Sequence, residues 1–183
     1  MKKVFVHLAT GFEDVEAISI IDVLRRAEID VTTVSINEDK TVLSAHNVPV
    51  IADKLFTEVD YNEADMIVLP GGLPGATNLD EHEGLKAQIK AFDEAGKGLA
   101  AICAAPMVFG HLGLLKGKEA ICYPGFEEHL EGATVTDAPA VEADHIITGK
   151  GPGTALLFSL KIVEKLKGAK LAQQLKAGML ING

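Results

Sequence analysis

Residues 99–106, Leu-Ala-Ala-Ile-Cys-Ala-Ala-Pro, decide the fold of this chain. Four apolar residues typical of a buried strand lead directly into Cys103, and Pro106 suits the first turn of a helix, where a missing N–H does no harm. Strand, one-residue turn and helix form a nucleophile elbow, here with cysteine where other α/β enzymes carry serine. We therefore expect the sulfur of Cys103 to be displayed at the carboxyl end of a central strand.

Strand and helix patterns alternate on both sides of this elbow. Apolar runs predict strands at residues 4–9, 31–36, 66–69, 99–102, 120–122 and 145–148, with a short antiparallel excursion at 42–43 and 48–52. Helical spacing predicts helices at 13–27, 85–95 and 106–112, one that follows 151–154 and ends at 165, and a last one at 169–177. Near-continuous apolar strands separated by helices indicate a mainly parallel sheet covered on both faces, a doubly wound α/β sandwich. We expect one domain over residues 1–183, with its site at the carboxyl ends of the strands.

The composition excludes several classes of function. The 183 residues include 17 Lys+Arg against 26 Asp+Glu, and this formal charge of −9 opposes binding to nucleic acid or to an anionic membrane. No apolar run reaches the ~18 residues of a membrane span, and the first run is too short for a secretory signal. Two cysteines outside any CxxC pair indicate a reducing compartment. The sequence thus predicts a soluble cytoplasmic protein.

The two cysteines, Cys103 and Cys122, receive different interpretations. A thiol at a helix N-terminus lies beside free amides and the positive end of the helix dipole, which favour the reactive thiolate. The alternative for Cys103 is a small core residue, the usual role of a free cysteine. Cys122 lies within an apolar strand pattern, so it is predicted to be a core residue.

Glu16 is the second candidate for chemistry. Helical spacing from Glu16 reaches Ile20, Val23 and Ala27, so its carboxyl follows the stripe expected to face the core. Burial would raise the pKa of this carboxyl, and a protonated carboxyl can donate to a thiolate and act as general acid or base. A helix register shifted by one residue would instead place Glu16 in water. The spacing alone does not decide between the two.

Glycines follow the strand at residues 66–69. The amides of Gly71 and Gly72, with that of Ala104, could hold a developing oxyanion, although a plain turn after the strand explains the same glycines. Residues 151–154, Gly-Pro-Gly-Thr, are not a phosphate loop, because no Gly-Lys-Ser/Thr follows them. We interpret them as the start of a helix.

The six histidines form no metal-binding pattern in the sequence. No two of them have the i, i+4 spacing of a helical metal pair, so we predict neither a metal nor a cofactor. His7 is predicted to be a core or strand-end residue, and His111 suits the C-terminal dipole of a helix. Spacing does not identify a histidine partner for Cys103.

Five ordered blocks of the chain together resemble the ThiJ/PfpI family, the DJ-one superfamily. They are residues 8–16, 22–27, 68–72, 100–104 and 151–154, and the resemblance covers essentially the whole chain. It implies a flavodoxin-like three-layer α/β/α sandwich, similar to the class I glutamine amidotransferases, and a homodimer. It also implies that Cys103 is an oxidisable nucleophile, that Glu16 is a protonated acid against the sulfur, and that Gly72 and Ala104 supply oxyanion amides.

The same resemblance implies a range of activities. Members are described as glutathione-independent glyoxalases or deglycases that act on methylglyoxal adducts, as oxidative-stress sensors and as holdase chaperones. We therefore expect a cysteine-dependent enzyme in stress defence whose substrate is a small aldehyde or a glycated molecule. The alternative is a non-catalytic sensor or chaperone that works through oxidation of Cys103 to sulfinate.

Three positions depart from the family's pattern. Tyr123 stands before Pro124 where the human-like branch has histidine, and with a pKa of about 10 it is a poor base, which puts glyoxalase chemistry in doubt. Ala104 follows the nucleophile where the protease-like branch has histidine, so we do not expect a peptidase. His46 occupies a place where relatives often carry arginine, which leaves less fixed positive charge. Tyr123 is nevertheless a candidate catalytic residue and His46 a candidate binding residue.

Overall fold

The computed structural model describes residues 1–181, and its strands and helices alternate along the chain. The strands are β1 (Lys3–Leu8), β2 (Asp30–Ser35), β3 (Thr41–Leu43), β4 (Pro49–Ile51), β5 (Lys54–Leu55), β6 (Met66–Leu69), β7 (Gly98–Ile102), β8 (Glu119–Ala120), β9 (Thr134–Val135), β10 (Ala140–Ala143) and β11 (Ile146–Gly149). The α-helices are α1 (Asp14–Arg26), α2 (Gly75–Glu81), α3 (Glu83–Glu94), α4 (Pro106–His111), α5 (Ala155–Lys167) and α6 (Ala169–Gly178). Short 3₁₀ helices occur at Phe56–Glu58, Tyr61–Glu63, Glu127–His129 and Pro152–Thr154.

Seven of the strands form the central sheet, in the order β10-β11-β7-β6-β1-β2-β5. Every neighbouring pair in this sheet is parallel except β10 with β11. The chain reverses direction across the sheet between β1 and β6, as in doubly wound folds, where a crevice opens at the carboxyl ends of the strands. The predicted mainly parallel sheet is confirmed.

Helices cover both faces of the sheet because side chains alternate along each strand. In β1, Val4 and Val6 enter the core under α1 and α5, whereas Phe5 enters the core under α3 and α4. Both cores consist mainly of fully buried aliphatic and aromatic side chains. Such burial on two faces stabilises a three-layer sandwich and confirms the predicted flavodoxin-like α/β/α architecture.

Some elements differ from the sequence prediction. Helix α2 was not predicted, and the expected strand at 120–122 is β8, which ends at Ala120 and pairs with β9 outside the central sheet. The amide of Ile121 donates to the side-chain hydroxyl of Thr148 instead of joining a ladder. The edge strand β10 was also missed, because it is short and carries Glu142. These elements depend on tertiary partners rather than on a local apolar pattern.

No helix within residues 1–181 combines the length and the apolar composition that crossing a membrane requires.

Candidate active site

Cys103 lies at the turn between β7 and α4, as the sequence predicted for a nucleophile elbow. Its φ of +66° is in the left-handed region, which is rare for a residue with a side chain and costs about 1–3 kcal/mol. Two hydrogen bonds hold this conformation. The Cys103 amide donates to the carbonyl oxygen of Gly149 at 3.0 Å, and the Tyr123 amide donates to the carbonyl oxygen of Cys103 at 2.8 Å. The strained turn is thus anchored to β11 and to the segment after β8.

Glu16 faces inward from the first turn of α1, which resolves the two helix registers that the spacing had left open. Glu13 caps the helix by accepting from the Glu16 amide at 2.8 Å. The Glu16 side chain is fully buried, and its Oε2 accepts from the Gly71 amide at 2.8 Å. The sequence pattern predicted that the amide of Gly71 could hold an oxyanion. In the structure this amide donates to Glu16, so it is not available to an oxyanion.

Gly71 also sets the spacing between the acid and the nucleophile. A Cβ on Gly71 would lie 2.6 Å from the Cβ of Cys103 and 2.8 Å from Oε2 of Glu16. Both distances are shorter than real contacts allow, so the missing side chain lets the two groups approach each other. Cys103 and Glu16 are then close enough for each to influence the pKa of the other.

Burial raises the pKa of the Glu16 carboxyl to about 7, although hydrogen bonds from Cys103 and from the Gly71 amide act in the opposite direction. Oε1 is buried and has no well-directed hydrogen-bond partner. A proton on Oε1 gives the carboxyl a donor beside the sulfur. The inward, protonated Glu16 that the resemblance implied is therefore consistent with the geometry.

The thiol of Cys103 differs from the sequence prediction. The residue is only 7% exposed, so the expectation of a displayed sulfur is wrong. Burial and then the negative charge of Glu16 raise the pKa of the thiol, whereas hydrogen bonds from the amides of Gly72 and Ala104 lower it. Helix α4 has only six residues, so its dipole is too small to outweigh burial. The thiolate forms at lower cost when Glu16 keeps its proton, because only one of the two neighbouring groups then carries a negative charge.

Gly72 and Ala104 contribute the amides nearest to this sulfur. Gly72 has a φ of +89°, and a Cβ on it would overlap the amide nitrogen of Glu13. Only glycine therefore fits between the end of β6 and the start of α1. A substrate oxygen at Cys103 would lie close to the same two amides, which is the arrangement that an oxyanion hole needs.

A groove of about 260 Å³, not predicted from the sequence, lies on two segments that follow β8 and β11, one of which is hydrogen-bonded to Cys103 through the Tyr123 amide. It is lined by Tyr123, Pro124 and residues 150–154. The ring of Tyr123 is 46% exposed and lies over Gly151, where a Cβ would come within 3.1 Å of Cδ2. The Gly-Pro-Gly-Thr run after β11 was the sequence signal for this wall, although we interpreted it only as the start of a helix. The backbone of Tyr123 thus contacts Cys103, and its side chain lines the groove.

His46 is exposed, and its Nδ1 lies 2.6 Å from Oδ2 of Asp14. The hydrogen bond to Asp14 and its negative charge raise the pKa of His46. Ligand atoms of Glu13, Asp14 and His46 lie within 4.8 Å of one another, so these side chains could hold a cation near the start of α1. In the described part of the chain His46 makes no hydrogen bond to Cys103 or Glu16, and the structure does not join it to the central pair.

The sequence and the fold of this chain recur in known proteins. The model of the "DJ-1/PfpI family" matches residues 2–165. The chain belongs to the DJ-1/PfpI family. The family resemblance inferred from the sequence is therefore confirmed.

Individual DJ-1/PfpI proteins resemble the chain over nearly its whole length. "Protein DJ-1 homolog B" of Arabidopsis thaliana is 40% identical over 182 residues, which cover 98% of this chain but only 42% of that protein. The chain thus spans less than half the length of this plant relative. "Protein dj-1beta" of Drosophila melanogaster is 36% identical, with 98% of this chain and 97% of that protein covered. The solved structure "Toxoplasma gondii DJ-1, oxidized" has a TM-score of 0.94 at 37% identity and covers 98% of both chains.

Proposed function

We propose that this DJ-1/PfpI protein is a cysteine-dependent enzyme that acts on small reactive carbonyls in stress defence, as a glyoxalase or deglycase. One observation carries the proposal: a buried carboxyl whose pKa is raised to about 7 lies against a cysteine held in a strained elbow. An acid that titrates near neutral pH can give and take protons at the pH at which it works. A thiolate beside it adds readily to aldehydes.

The first step is addition to the aldehyde carbon of a 2-oxoaldehyde such as methylglyoxal. The Cys103 thiolate forms the C–S bond, and the carbonyl electron pair moves to oxygen, near the amides of Gly72 and Ala104. Glu16 gives its proton to this oxygen and becomes a carboxylate. The product is a neutral hemithioacetal on Cys103.

Glu16 then acts as a base in the second step. Its carboxylate takes the proton from the carbon that carries sulfur and returns it to the neighbouring carbon, while the hydroxyl proton on the first carbon's oxygen passes to the oxygen of the neighbouring carbonyl. Together these transfers convert the hemithioacetal into a thioester of the 2-hydroxy acid. Water cleaves the thioester and releases the hydroxy acid and the thiol. The overall change is addition of one water to methylglyoxal to form lactate, so no external oxidant or reductant is needed.

Tyr123 contributes binding rather than base catalysis in this proposal. Its exposed ring lines the groove, whereas its link to Cys103 runs through the backbone amide. A phenol is a poor base at neutral pH but can donate to a substrate oxygen. His46 is paired with Asp14 and is proposed only to supply positive charge at the surface nearby.

The test is production of lactate from methylglyoxal without glutathione. We expect turnover by the wild type and a loss of at least about 100-fold in Cys103→Ser and in Glu16→Gln, which removes the proton exchange but keeps the shape. Tyr123→Phe is expected to raise KM more than it lowers kcat. Circular dichroism confirms that each variant is folded. Equal turnover by the wild type and Cys103→Ser would rule out the enzyme.

A non-catalytic oxidative sensor or chaperone is the second candidate, since the nearly buried Cys103 is easier to reach for hydrogen peroxide than for a bulky glycated substrate. One hydrogen peroxide converts the thiolate to sulfenate and water, and a second converts sulfenate to sulfinate. A relative of known structure is itself described as "oxidized". Intact-mass analysis after mild peroxide treatment separates the candidates. Two added oxygens confined to Cys103, in a protein inert to aldehydes, would favour the sensor.

Peptidase activity is not part of the proposal. Within residues 1–181 neither Cys103 nor Glu16 is hydrogen-bonded to a histidine, and Ala104 follows the nucleophile. A thiol protease needs a base that activates the sulfur for attack on an unreactive amide. Glu16 lies in a position to exchange a proton with the sulfur, which suits reactive carbonyls better than peptides.

We further propose that the protein forms a homodimer, as the resemblance implied. Large apolar side chains are exposed on α1 and on the β3–β4 hairpin: Val15, Ile18, Leu43, Val48 and Ile51. The two elements are adjacent, because the Ala45 amide donates to the carbonyl oxygen of Phe12 at 2.8 Å. A contiguous apolar patch of this kind is typical of an interface. Analytical ultracentrifugation should show a dimer that Ile18→Lys converts to a monomer.

A further inference from the structure

A second cluster of chemically active side chains lies at the far end of the elbow helix. His111 is the last residue of α4, His129 is the last residue of the 3₁₀ helix Glu127–His129, and Asp80 lies in α2. Nε2 of His111 and Nδ1 of His129 are 3.0 Å apart. Nδ1 of His111 lies 2.9 Å from Oδ2 of Asp80. Three separate segments therefore converge on one pair of imidazole nitrogens.

The carboxylate of Asp80 determines which nitrogen of His111 carries the proton. A carboxylate only accepts, so His111 donates Nδ1–H to Asp80 and keeps a lone pair on Nε2. When both rings are neutral, Nδ1–H of His129 donates to that lone pair, and Nε2 of His129 carries no proton. Oε1 of Glu128 lies 3.9 Å from this Nε2. Each ring thus has a carboxylate on the side that faces away from the other ring.

We propose that His111 and His129 form a binding site for a late first-row transition metal of the Ni²⁺ or Cu²⁺ class. The metal binds both nitrogens from a position to one side of the line that joins them, and the two rings tilt toward it. It displaces the proton on Nδ1 of His129, which moves to Nε2 of the same ring, on the side of Glu128. Two neutral imidazoles then face the metal with no net release of a proton, and water completes the coordination. Carboxylates on the outer nitrogens of ligating histidines commonly fix the orientation and tautomer of the rings. Asp80 is a positioning residue of this kind, since it is hydrogen-bonded to the outer nitrogen of His111.

The separation of the two nitrogens favours a metal with ligands at right angles. With metal–nitrogen bonds of about 2.05 Å, a separation of 3.0 Å corresponds to an angle of about 94° at the metal. Neighbouring ligands of square-planar or tetragonal Ni²⁺ and Cu²⁺ are about 90° apart. Tetrahedral zinc would need the nitrogens about 3.35 Å apart. We therefore expect Ni²⁺ to bind more tightly than Zn²⁺.

The fold holds the two rings together before a metal binds. A Cβ on Gly110 would overlap the carbonyl oxygen of His129, so the missing side chain lets the His129 segment lie directly on α4. The ring of Phe126 packs against the ring of His129, with centroids 5.7 Å apart. Oδ1 of Asp80 is buried without a hydrogen-bond partner, so packing directs this carboxylate toward His111. Such preorganisation reduces the ordering that binding requires.

Isothermal titration calorimetry with Ni²⁺ on tag-free protein tests the site, since Ni²⁺ does not oxidise thiols. Because Glu13, Asp14 and His46 could also hold a cation, the titrations use His46→Gln, which removes that group. In this background we expect one ion per chain, also when Cys103→Ser removes the thiol as a ligand. His129→Gln should abolish binding, and Asp80→Asn should weaken it about 10- to 100-fold. His145→Gln is the matched control, because His145 is also a histidine paired with an aspartate.

NMR of the histidine ring protons gives an independent measurement in the unmodified protein. Ni²⁺ should shift or broaden the signals of His111 and His129 and leave that of His145 unchanged, although His145 also faces a carboxylate, that of Asp93, at 2.8 Å. Absence of Ni²⁺ binding in His46→Gln would overturn the proposal. In that background, binding that persists in folded His129→Gln, or that is lost in His145→Gln or in Cys103→Ser, would overturn it as well.

Discussion

Replacement of Glu16 by Gln removes the one buried carboxyl that the candidate mechanism uses as an acid and a base. Gln keeps the shape of the side chain and can still accept from the Gly71 amide, but it cannot titrate. The folded protein raises the pKa of Glu16 from an ordinary value of 4.5 to about 7. The unfolded chain therefore loses this proton at a lower pH than the folded protein does, and the wild type should lose stability as the pH rises through this range.

The change in the free energy of unfolding follows from the shift in the pKa of Glu16. A difference of about 2.5 pKa units at about 1.36 kcal/mol per unit corresponds to about 3 kcal/mol. This stabilisation is present below pH 4.5 and is lost as the pH approaches 7. Glu16→Gln lacks this dependence. The free energy of unfolding of the wild type, relative to that of Glu16→Gln, should therefore fall by about 3 kcal/mol between pH 4 and pH 8.

Urea unfolding followed by circular dichroism, repeated at half-unit steps of pH, measures this difference. Glu94→Gln is the control, because Glu94 is exposed on α3 and its replacement should give a pH profile parallel to that of the wild type. If the difference between the wild type and Glu16→Gln stays within about 0.5 kcal/mol over the whole range, Glu16 is not held as a buried neutral acid. The proposed proton transfers to and from Cys103 would then lose their basis.

Two further predictions concern packing and a buried hydrogen bond. Gly71→Ala should lower the free energy of unfolding by about 1–3 kcal/mol and lower turnover, because its methyl would come within 2.6 Å of the elbow, whereas Gly178→Ala, which meets open space, should change the stability little. Tyr61→Phe should cost about 1–3 kcal/mol, because it leaves Nε2 of buried His7 without the hydroxyl that now lies 2.7 Å away. Tyr123→Phe removes an exposed hydroxyl and should have a much smaller effect on urea unfolding. If Gly71→Ala and Gly178→Ala lower the free energy of unfolding equally, the packing explanation is wrong. If Tyr61→Phe and Tyr123→Phe do so, the hydrogen-bond explanation is wrong.

Much of the fold was predictable because its signals are local. The apolar run before Cys103 and the proline after it specify a strand, a turn and a helix within eight residues. The stripe through Ile20 and Val23 predicted the buried face of α1, and both side chains are buried; Glu16, whose orientation the spacing left open, is buried on the same face. Pattern and tertiary structure agree at these places, as they do in sequences whose local preferences match the global fold.

The electrostatic state of the site was not predictable in the same way. The helix-end position of Cys103 predicted a displayed thiol with a lowered pKa, but the structure buries it and places a carboxyl beside it. Desolvation depends on every group that packs around the sulfur, and those groups come from α1, from the turn after β6 and from the elbow itself. Gly71 shows the same dependence, since its amide serves Glu16 and not a substrate oxygen.

The amino-acid sequence by itself determined the doubly wound sheet, the cysteine elbow and the family. Apolar periodicity and ordered motifs are local patterns, so they can be recognised without information on contacts between distant segments. Only the tertiary structure decided that the Gly71 amide binds Glu16, that a groove opens beside Tyr123, and that His111 meets His129 across 18 residues of chain. Proximity, burial and shared protons are properties of groups brought together from separate segments, so no local pattern records them.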